Sequence, residues 1–353
     1  MLSKNALSKH FTIPEHLILD ETSTYLLKNG FKLLHIGKVR NTFSIPGDKN
    51  NLLVVATDRA SIFDFVLNTT IPNKGAILTL LTVFWAAKQP SVKTHLVPCA
   101  SKRKKYNAAY DLKQKYPGID VSRCLVVKNL RKRIDPAELI FRAHLGGSVF
   151  SDYQQTGIVA GQTLPKNITK WSKLDSILFT PSTKENAGHD LNITAQAYYE
   201  AMGEKGKSFV RQLSEFYKNS YTYALKCGII ILDAKFEGSS EYGIIADEIL
   251  TCDSARFTDE KDFADAMKKG LDPKPIDKQV LRDWGNSLTI DAFGCKSWKE
   301  LDPSNGAHCA YVHSIEVPKD IVQQVSATYE KLWQRLDFRN IKEAQEHYLG
   351  FKN

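Results

Sequence analysis

Ile229-Ile230-Ile231-Leu232-Asp233-Ala234-Lys235-Phe236-Glu237-Gly238-Ser239-Ser240, followed by Gly243-Ile244-Ile245-Ala246-Asp247, is the stretch on which the architecture turns. Four apolar residues in succession read as a buried strand, which then continues with charged residues at every second position. Successive strand side chains point to opposite faces, so Asp233, Lys235 and Glu237 share one face. A Gly-Ser turn region and a second apolar run lead back to Asp247, which predicts a hairpin that sets another carboxylate beside the first. Two carboxylates and a lysine on one sheet face suit a metal-phosphate site. A solvated hairpin tip with surface ion pairs would carry the same residues, so the hairpin alone leaves both readings open.

Upstream, residues 208–225 place Phe209, Val210, Leu213, Phe216, Tyr217, Tyr221, Ala224 and Leu225 on one helical stripe, with Gly228 where a helix C-terminus favours it. This helix delivers the chain into the 229–237 strand. Downstream, residues 320–336 form a second amphipathic helix whose stripe, Ile321 to Trp333, reads as core. Toward the N-terminus, residues 31–36, 42–45 and 52–56 predict a small antiparallel sheet. Gly75 and Pro90 bracket a helix at 76–88. Residues 124–127 and 137–141 predict two further strands joined by a basic turn at 131–136. Three units follow: an extension, 1–29, with a short helix near 14–27; a β-rich lobe, 30–134; and a larger α/β lobe, 135–353, interrupted by an irregular excursion at 285–317.

At 353 residues, with 42% hydrophobic and 25% charged residues, the composition is that of a soluble globular protein. The sequence contains no run of about 18 apolar residues, which excludes a membrane-spanning helix. Residues 1–15 lack the apolar centre of a secretory signal, so a cytoplasmic location is expected. Six cysteines without a C-x-x-C pair predict neither a zinc ribbon nor a disulfide framework. A net charge of +9 admits nucleic acid, a membrane surface or small anionic substrates as partners. The basic runs 102–105 and 128–133 are not interleaved with aromatic residues for base stacking, and the first reads as a solvated loop. Other cations occur singly beside glycines, serines and carboxylates, a pattern suited to a polyanion.

Gly37-Lys38-Val39-Arg40 follows a strand directly: the glycine allows close backbone approach and the cations serve phosphate oxygens, although the spacing is not that of a Walker loop. In Phe141-Arg142-Ala143-His144-Leu145-Gly146-Gly147-Ser148, free N–H groups and a hydroxyl can receive a phosphate, with Arg142 as charge partner; an ordinary strand-to-loop turn is the alternative. Phe179 to Lys184 and Gly188-His189-Asp190 make a polar loop rich in proton-handling and cationic groups. Lys278 and Arg282 stand at i and i+4 on one helical face, as an anion clamp or a solvated face.

In this order, these segments resemble the SAICAR synthetase family, together with Ala56-Thr57-Asp58-Arg59-Ala60-Ser61, Ile71-Pro72-Asn73-Lys74-Gly75 and Asp247 to Arg256. The resemblance implies an α/β (α+β) two-lobed fold related to ATP-grasp and kinase-like architectures, with antiparallel sheets, flanking helices and the N-terminal lobe covering ATP. It implies an ATP-dependent ligase of purine biosynthesis joining carboxyaminoimidazole ribotide (CAIR) to L-aspartate through an acyl phosphate, with ATP and Mg2+ required. Gly37, Lys38, Arg40 and Glu138 would serve ATP; Glu237 and Asp247 would hold magnesium. Lys235, Arg282 and Asp247 would act at the reacting groups. Arg142, Ser148, Lys184, Asp190, Asp233, Arg256 and Lys278 would contact substrates. The chain departs from the family pattern at Gly238, Cys252 and Ala255, where many relatives have phenylalanine, proline and serine. Two rivals share features of this reading: a small-metabolite kinase using the same ATP-metal site, and a basic nucleic-acid-binding protein. The reading predicts no nucleic acid or membrane partner, and a monomer or small homo-oligomer.

Overall fold

A computed structural model describes residues 12–100, 108–184, 191–290 and 292–350. The basic run 102–105 lies outside them. The short helix expected near 14–27 resolves into a 3-10 turn, Glu15–Leu17, and helix α1, Glu21–Lys28, where the Asp20 carboxylate accepts the Ser23 N–H at 2.7 Å. Strands β1 (Lys32–Ile36), β2 (Arg40–Ile45) and β3 (Asp48–Ala56) form an antiparallel meander. In β2, Asn41, Phe43 and Ile45 are buried and alternate with half-exposed residues, as a strand with one face on the core requires. Strands β4 (Arg59–Ile62) and β5 (Phe65–Thr70) pair separately. Helix α2, Lys74–Lys88, is apolar around most of its circumference and is buried accordingly between β3 and the C-terminal helices. After helix α3 (Ala109–Lys115), β6 (Cys124–Lys128) pairs with β3 and completes a four-stranded sheet, order β1-β2-β3-β6.

The second sheet begins with β7, Ala137–His144. The strands at 124–128 and 137–144 therefore belong to different sheets, and the basic segment between them is a crossover. Helix α4 (Ser148–Thr156), the short pair β8 (Ile158–Val159) and β9 (Gln162–Thr163), β10 (Lys173–Phe179) and β11 (Ser182–Thr183) follow. Helix α5 runs from Ala195 to Lys226, well beyond the expected 208–225, because Thr194 caps its start at 3.0 Å and Gly203, at φ 63°, absorbs a kink. It leads into β12 (Ile229–Ser239), then β13 (Ile244–Ala246), β14 (Ala255–Asp259), α6 (Glu260–Lys269) and α7 (Gln279–Ser287). The excursion at 285–317 is not wholly irregular: it contains helix α8, Gly306–Ser314, capped by Asn305. Helix α9, Lys319–Leu336, matches the expected amphipathic helix.

The predicted hairpin forms, with Glu237 opposite Ala246 and Ser239 opposite Ile244. Strand β12 is the spine of its sheet, with β7 on one edge and β13 and β14 in succession on the other. Helix α5 covers one face, where Phe209, Phe216, Tyr217 and Phe236 are buried. The opposite face carries the charges. Residues 94–96 connect the sheets, Thr94 bridging Ile245 of β13 and Leu96 bridging Val127 of β6. One apolar cluster runs from Leu26 to Leu349 across both sheets.

Candidate active site

Both sheets open onto one cleft of about 1280 Å3. Strand alternation puts Asp233, Lys235 and Glu237 in its wall, and Asp247 joins them from the end of β13 at φ 59°, a left-handed backbone that aspartate tolerates better than most residues. The Lys235 ammonium meets Glu138 of β7 at 2.6 Å, and Lys184 meets Glu237 at 2.5 Å. Arg40 reaches across from the first sheet to donate to Asp247 and to Glu248, both at 2.7 Å. Burial pushes the Asp247 carboxyl up, but Arg40 and Lys184 outweigh it and hold the group below its ordinary range. Burial likewise depresses Lys235, but Glu138 and Glu237 raise it overall, so the ammonium is firmly charged.

One strand pair deeper, Asp233 lies between two guanidinium groups. It is opposite Arg142 of β7 and Arg256 of β14 in register, so the backbone pairing itself aligns the three side chains. Arg142 donates to Asp233 at 2.6 Å and to the Thr180 hydroxyl at 2.9 Å. Arg256 donates through Nε at 2.8 Å and again through Nη2, and its guanidinium lies 5.0 Å from the Trp171 ring centroid. The outcome is a carboxylate held below its usual range despite burial, because Arg256 and Arg142 outweigh the desolvation. Gly147, at φ 69°, brings the start of α4 close to this pair: a Cβ there would lie 3.0 Å from both terminal nitrogens of Arg256. Ser148 is the first residue of α4.

The Gly37 turn closes through Gly37 N–H to Arg40 O at 2.7 Å, and a Cβ on Gly37 would crowd that carbonyl at 3.1 Å. Lys38 pairs with Asp64 at 2.5 Å. Beneath the turn lies Arg59, almost wholly buried, whose guanidinium donates to the carbonyls of Gly37 (2.9 Å), Lys38 (3.0 Å) and Leu17 (3.0 Å) and to Asn41 (2.8 Å). Arg59 belongs to a quoted motif, but a sequence motif does not reveal that its role is to hold backbone carbonyls. His95 of the connecting segment also lines the cleft, and burial lowers its pKa to about 4, so it is neutral at physiological pH.

The remaining wall comes from α7 and the turn before β14. Lys278 and Arg282 both line the cleft, as the i, i+4 spacing anticipates. Burial brings the Lys278 pKa down to about 8 and takes buried Asp277 up to about 6. Asp253 pairs with Lys74 at 2.7 Å, with both side chains nearly solvent-free. Glu248, Asp253 and Lys74 lie inside quoted motifs without an assigned role; their pairing across the fold is not a local signal.

Gly37, Lys38, Arg40, Glu138, Arg142, Lys184, Asp233, Lys235, Glu237, Asp247, Arg256, Lys278 and Arg282 thus line a single cleft. Asp190 and His189 lie outside the described residues. The surface reading of the hairpin does not hold, since its charges face this cleft. Singly placed cations do not stand alone either: Lys38, Arg40, Arg142, Lys184, Lys235 and Arg256 each pair with a carboxylate.

The three departures also acquire physical reasons. At Gly238 the Phe209 ring from α5 occupies the space a side chain would need. Without proline at 252, the turn closes through the Thr251 hydroxyl, which accepts from Asp253 N at 3.2 Å and Ser254 N at 3.3 Å. The Ser254 hydroxyl accepts from Thr251 N at 3.1 Å, while Cys252 and Ala255 are buried and apolar in role.

The profile of the SAICAR synthetase family matches residues 33–293. The chain belongs to the SAICAR synthetase family. A phosphoribosylaminoimidazole-succinocarboxamide synthase of Thermodesulfovibrio yellowstonii is 35% identical over 311 residues, 87% of this chain and 96% of that protein. A SAICAR synthase from Saccharomyces cerevisiae, solved in complex with SAICAR, superposes with a TM-score of 0.69 at 30% identity, covering 88% of this chain and 96% of that one. A SAICAR synthetase solved with ADP shares the fold, with a TM-score of 0.54 at 19% identity over 87% of this chain and 98% of that one. Membership of this ligase family favours neither the kinase nor the nucleic-acid-binding alternative. No helix among the described residues is long and apolar enough to cross a membrane.

Proposed function

We propose that the cleft joins the carboxylate of CAIR to the amine of L-aspartate with consumption of ATP, yielding SAICAR, ADP and phosphate. The observation that carries this reading is the side-by-side arrangement on β12 of an arginine pair around Asp233 and a lysine-carboxylate set at Lys235, Glu237 and Asp247. The first suits a ribotide phosphate, which guanidinium groups bind in bidentate fashion. The second suits a reacting carboxylate beside a nucleotide triphosphate.

A carboxylate is a poor electrophile. In the proposed sequence, a CAIR carboxylate oxygen attacks the γ-phosphorus, an O–P bond forms, the bond to the β-phosphate oxygen breaks, and ADP leaves. The aspartate amine then attacks the acyl carbon, phosphate departs with the former carboxylate oxygen, and the amine gives up a proton. Lys235 and Arg282 orient the CAIR carboxylate and Lys278 adds charge nearby. Arg142, Arg256 and the start of α4 at Ser148 hold the ribotide phosphate, and Asp233 keeps the two arginines in register. Lys38, Arg40 and the Gly37 turn serve the ATP phosphates, with Glu138 at the nucleotide ribose. Lys184 and Asp190 serve the substrates. Fixed cations of this kind stabilise charge as it develops without reorganising.

Glu237 and Asp247 supply only carboxylate oxygens, the donors a hard cation such as Mg2+ prefers, and two carboxylates are the usual protein share for magnesium that arrives with nucleotide phosphates. Bound there, magnesium would neutralise phosphate charge as phosphoryl transfer proceeds. Residues 30–134 would form the ATP-covering lobe and 135–353 the ribotide lobe.

The test is a coupled assay with CAIR, aspartate, ATP and Mg2+ on the native protein and on Glu237→Gln. We expect SAICAR and ADP from the native protein and a loss of at least about tenfold in the variant, since a neutral amide binds magnesium poorly. ADP release at equal rate without aspartate, with no amide product, would overturn the ligase reading. Full activity in Glu237→Gln would remove the metal assignment alone.

A further inference from the structure

We propose that Tyr329, on helix α9 and beyond the family-matched span 33–293, is a positioning residue for the ribotide wall of the cleft, acting through Asp253. The inference rests on the reading of this cleft as the CAIR site.

Asp253 sits in the turn between β13 and β14 and lines the cleft, yet its side chain is only 4% exposed. Both of its oxygens are engaged from behind the wall. Oδ2 accepts from the Lys74 ammonium at 2.7 Å and Oδ1 accepts from the Tyr329 hydroxyl at 2.6 Å. With Lys74 alone, a carboxylate is anchored at one oxygen and its plane remains free to rotate. A second donor on the other oxygen fixes the plane. Tyrosine suits this task because its hydroxyl is carried at the end of a rigid ring with two side-chain torsions, and the Tyr329 ring is fully buried among the core residues of α9.

The turn that Asp253 anchors matters to the residues around it. The next carbonyl, Ser254 O, accepts from Lys235 N at 2.8 Å, and two residues further Arg256 pairs with Asp233. Lys278 lines the same wall, where burial lowers its pKa and the Asp253 carboxylate opposes that by favouring the charged ammonium. A swing of the Asp253 carboxylate would therefore move a negative charge within the group of cations assigned to CAIR. Helix α9 thus reaches the chemistry without touching substrate.

The experiment measures kcat and the three substrate KM values for the native protein, Tyr329→Phe, and the control Tyr223→Phe. The control removes a hydroxyl that donates at 3.0 Å to Leu336 O, at the far end of the same helix. Removing a hydrogen bond to a charged group predicts a rise in the CAIR KM of about three- to tenfold in Tyr329→Phe, with the ATP KM within about twofold. The control should change thermal stability alone. A merely structural role would lower the melting temperature or the active fraction and leave the CAIR KM where it was. An unchanged CAIR KM, or KM values that all rise together, would overturn the inference. If Tyr329→Phe does not fold, Asp253→Asn decides the matter: its CAIR KM must rise at least as far, and an unchanged value refutes the proposal. A native protein without CAIR-dependent ADP release would instead remove the reading beneath it.

Discussion

Asp233→Asn is the most informative single change, because the carboxylate lies between two guanidinium groups on the central strand. The substitution keeps the shape and removes the charge. Asp233 is 7% exposed and Arg142 is 6% exposed, and three hydrogen bonds from Arg142 and Arg256 converge on the carboxylate. An amide presents one oxygen to these donors and turns its own N–H groups toward the other guanidinium, leaving two cations beside each other without an anion. Removing one partner of a buried ion pair costs about 3–5 kcal/mol, and the partial solvation of Arg256, 27% exposed, favours the lower end. With an unfolding entropy near 2.1 cal/mol/K per residue, 353 residues correspond to about 0.7 kcal/mol per degree, so about 3 kcal/mol lowers Tm by about 4 °C. The assay is a thermal melt of both proteins from pH 7 downward. The folded Asp233 pKa lies below its unfolded value of about 3.9, so its contribution is complete above that pH and is lost as the pH falls through the folded value. The gap between native protein and variant should therefore narrow below about pH 4. No gap at pH 7, or a gap of equal size at pH 7 and pH 3, would refute the argument that an ionised carboxylate holds the two arginines.

Arg59→Met removes the buried donor set that fixes the Gly37 and Lys38 carbonyls, and should raise the ATP KM by about tenfold or more while lowering Tm; an unchanged ATP KM in a folded variant would show that the turn keeps its shape unaided. Gly238→Ala places a Cβ that collides with the Ile244 carbonyl oxygen and lies 2.5 Å from Phe209 Cζ. Overpacking of this kind costs about 1–3 kcal/mol, read as a fall in the urea midpoint with the m-value unchanged, and an unaltered midpoint would mean that the hairpin yields at no cost.

Much of the site was legible wherever the signal was local. Strand alternation alone put Asp233, Lys235 and Glu237 on one face, the Gly-Ser turn returned the chain to Asp247, and helical spacing paired Lys278 with Arg282 on one wall. These periodicities are properties of the backbone, so a few adjacent residues suffice to express them. Helix α5 shows the limit: its apolar stripe was plain from 208 onward, whereas its first turns, 195–207, bury only Tyr198 and Gly206 and depend on the Thr194 cap and a glycine kink.

Local sequence, then, supplied the principal strands and amphipathic helices, the faces their charges occupy and, through the order of its motifs, the family, but not helix α8 within the excursion at 285–317. Tertiary structure alone decided who meets whom. Arg142 and Asp233 are 91 positions apart and Arg40 and Asp247 are 207 apart, yet each pair is in direct contact. It also decided that β6 and β7 enter different sheets, and that Arg59 works on carbonyl oxygens rather than on a ligand. The physical reason is that such contacts depend on strand register and on the packing of one sheet against another. Both are set by burial of the shared core from Leu26 to Leu349, and no short window of sequence contains that information.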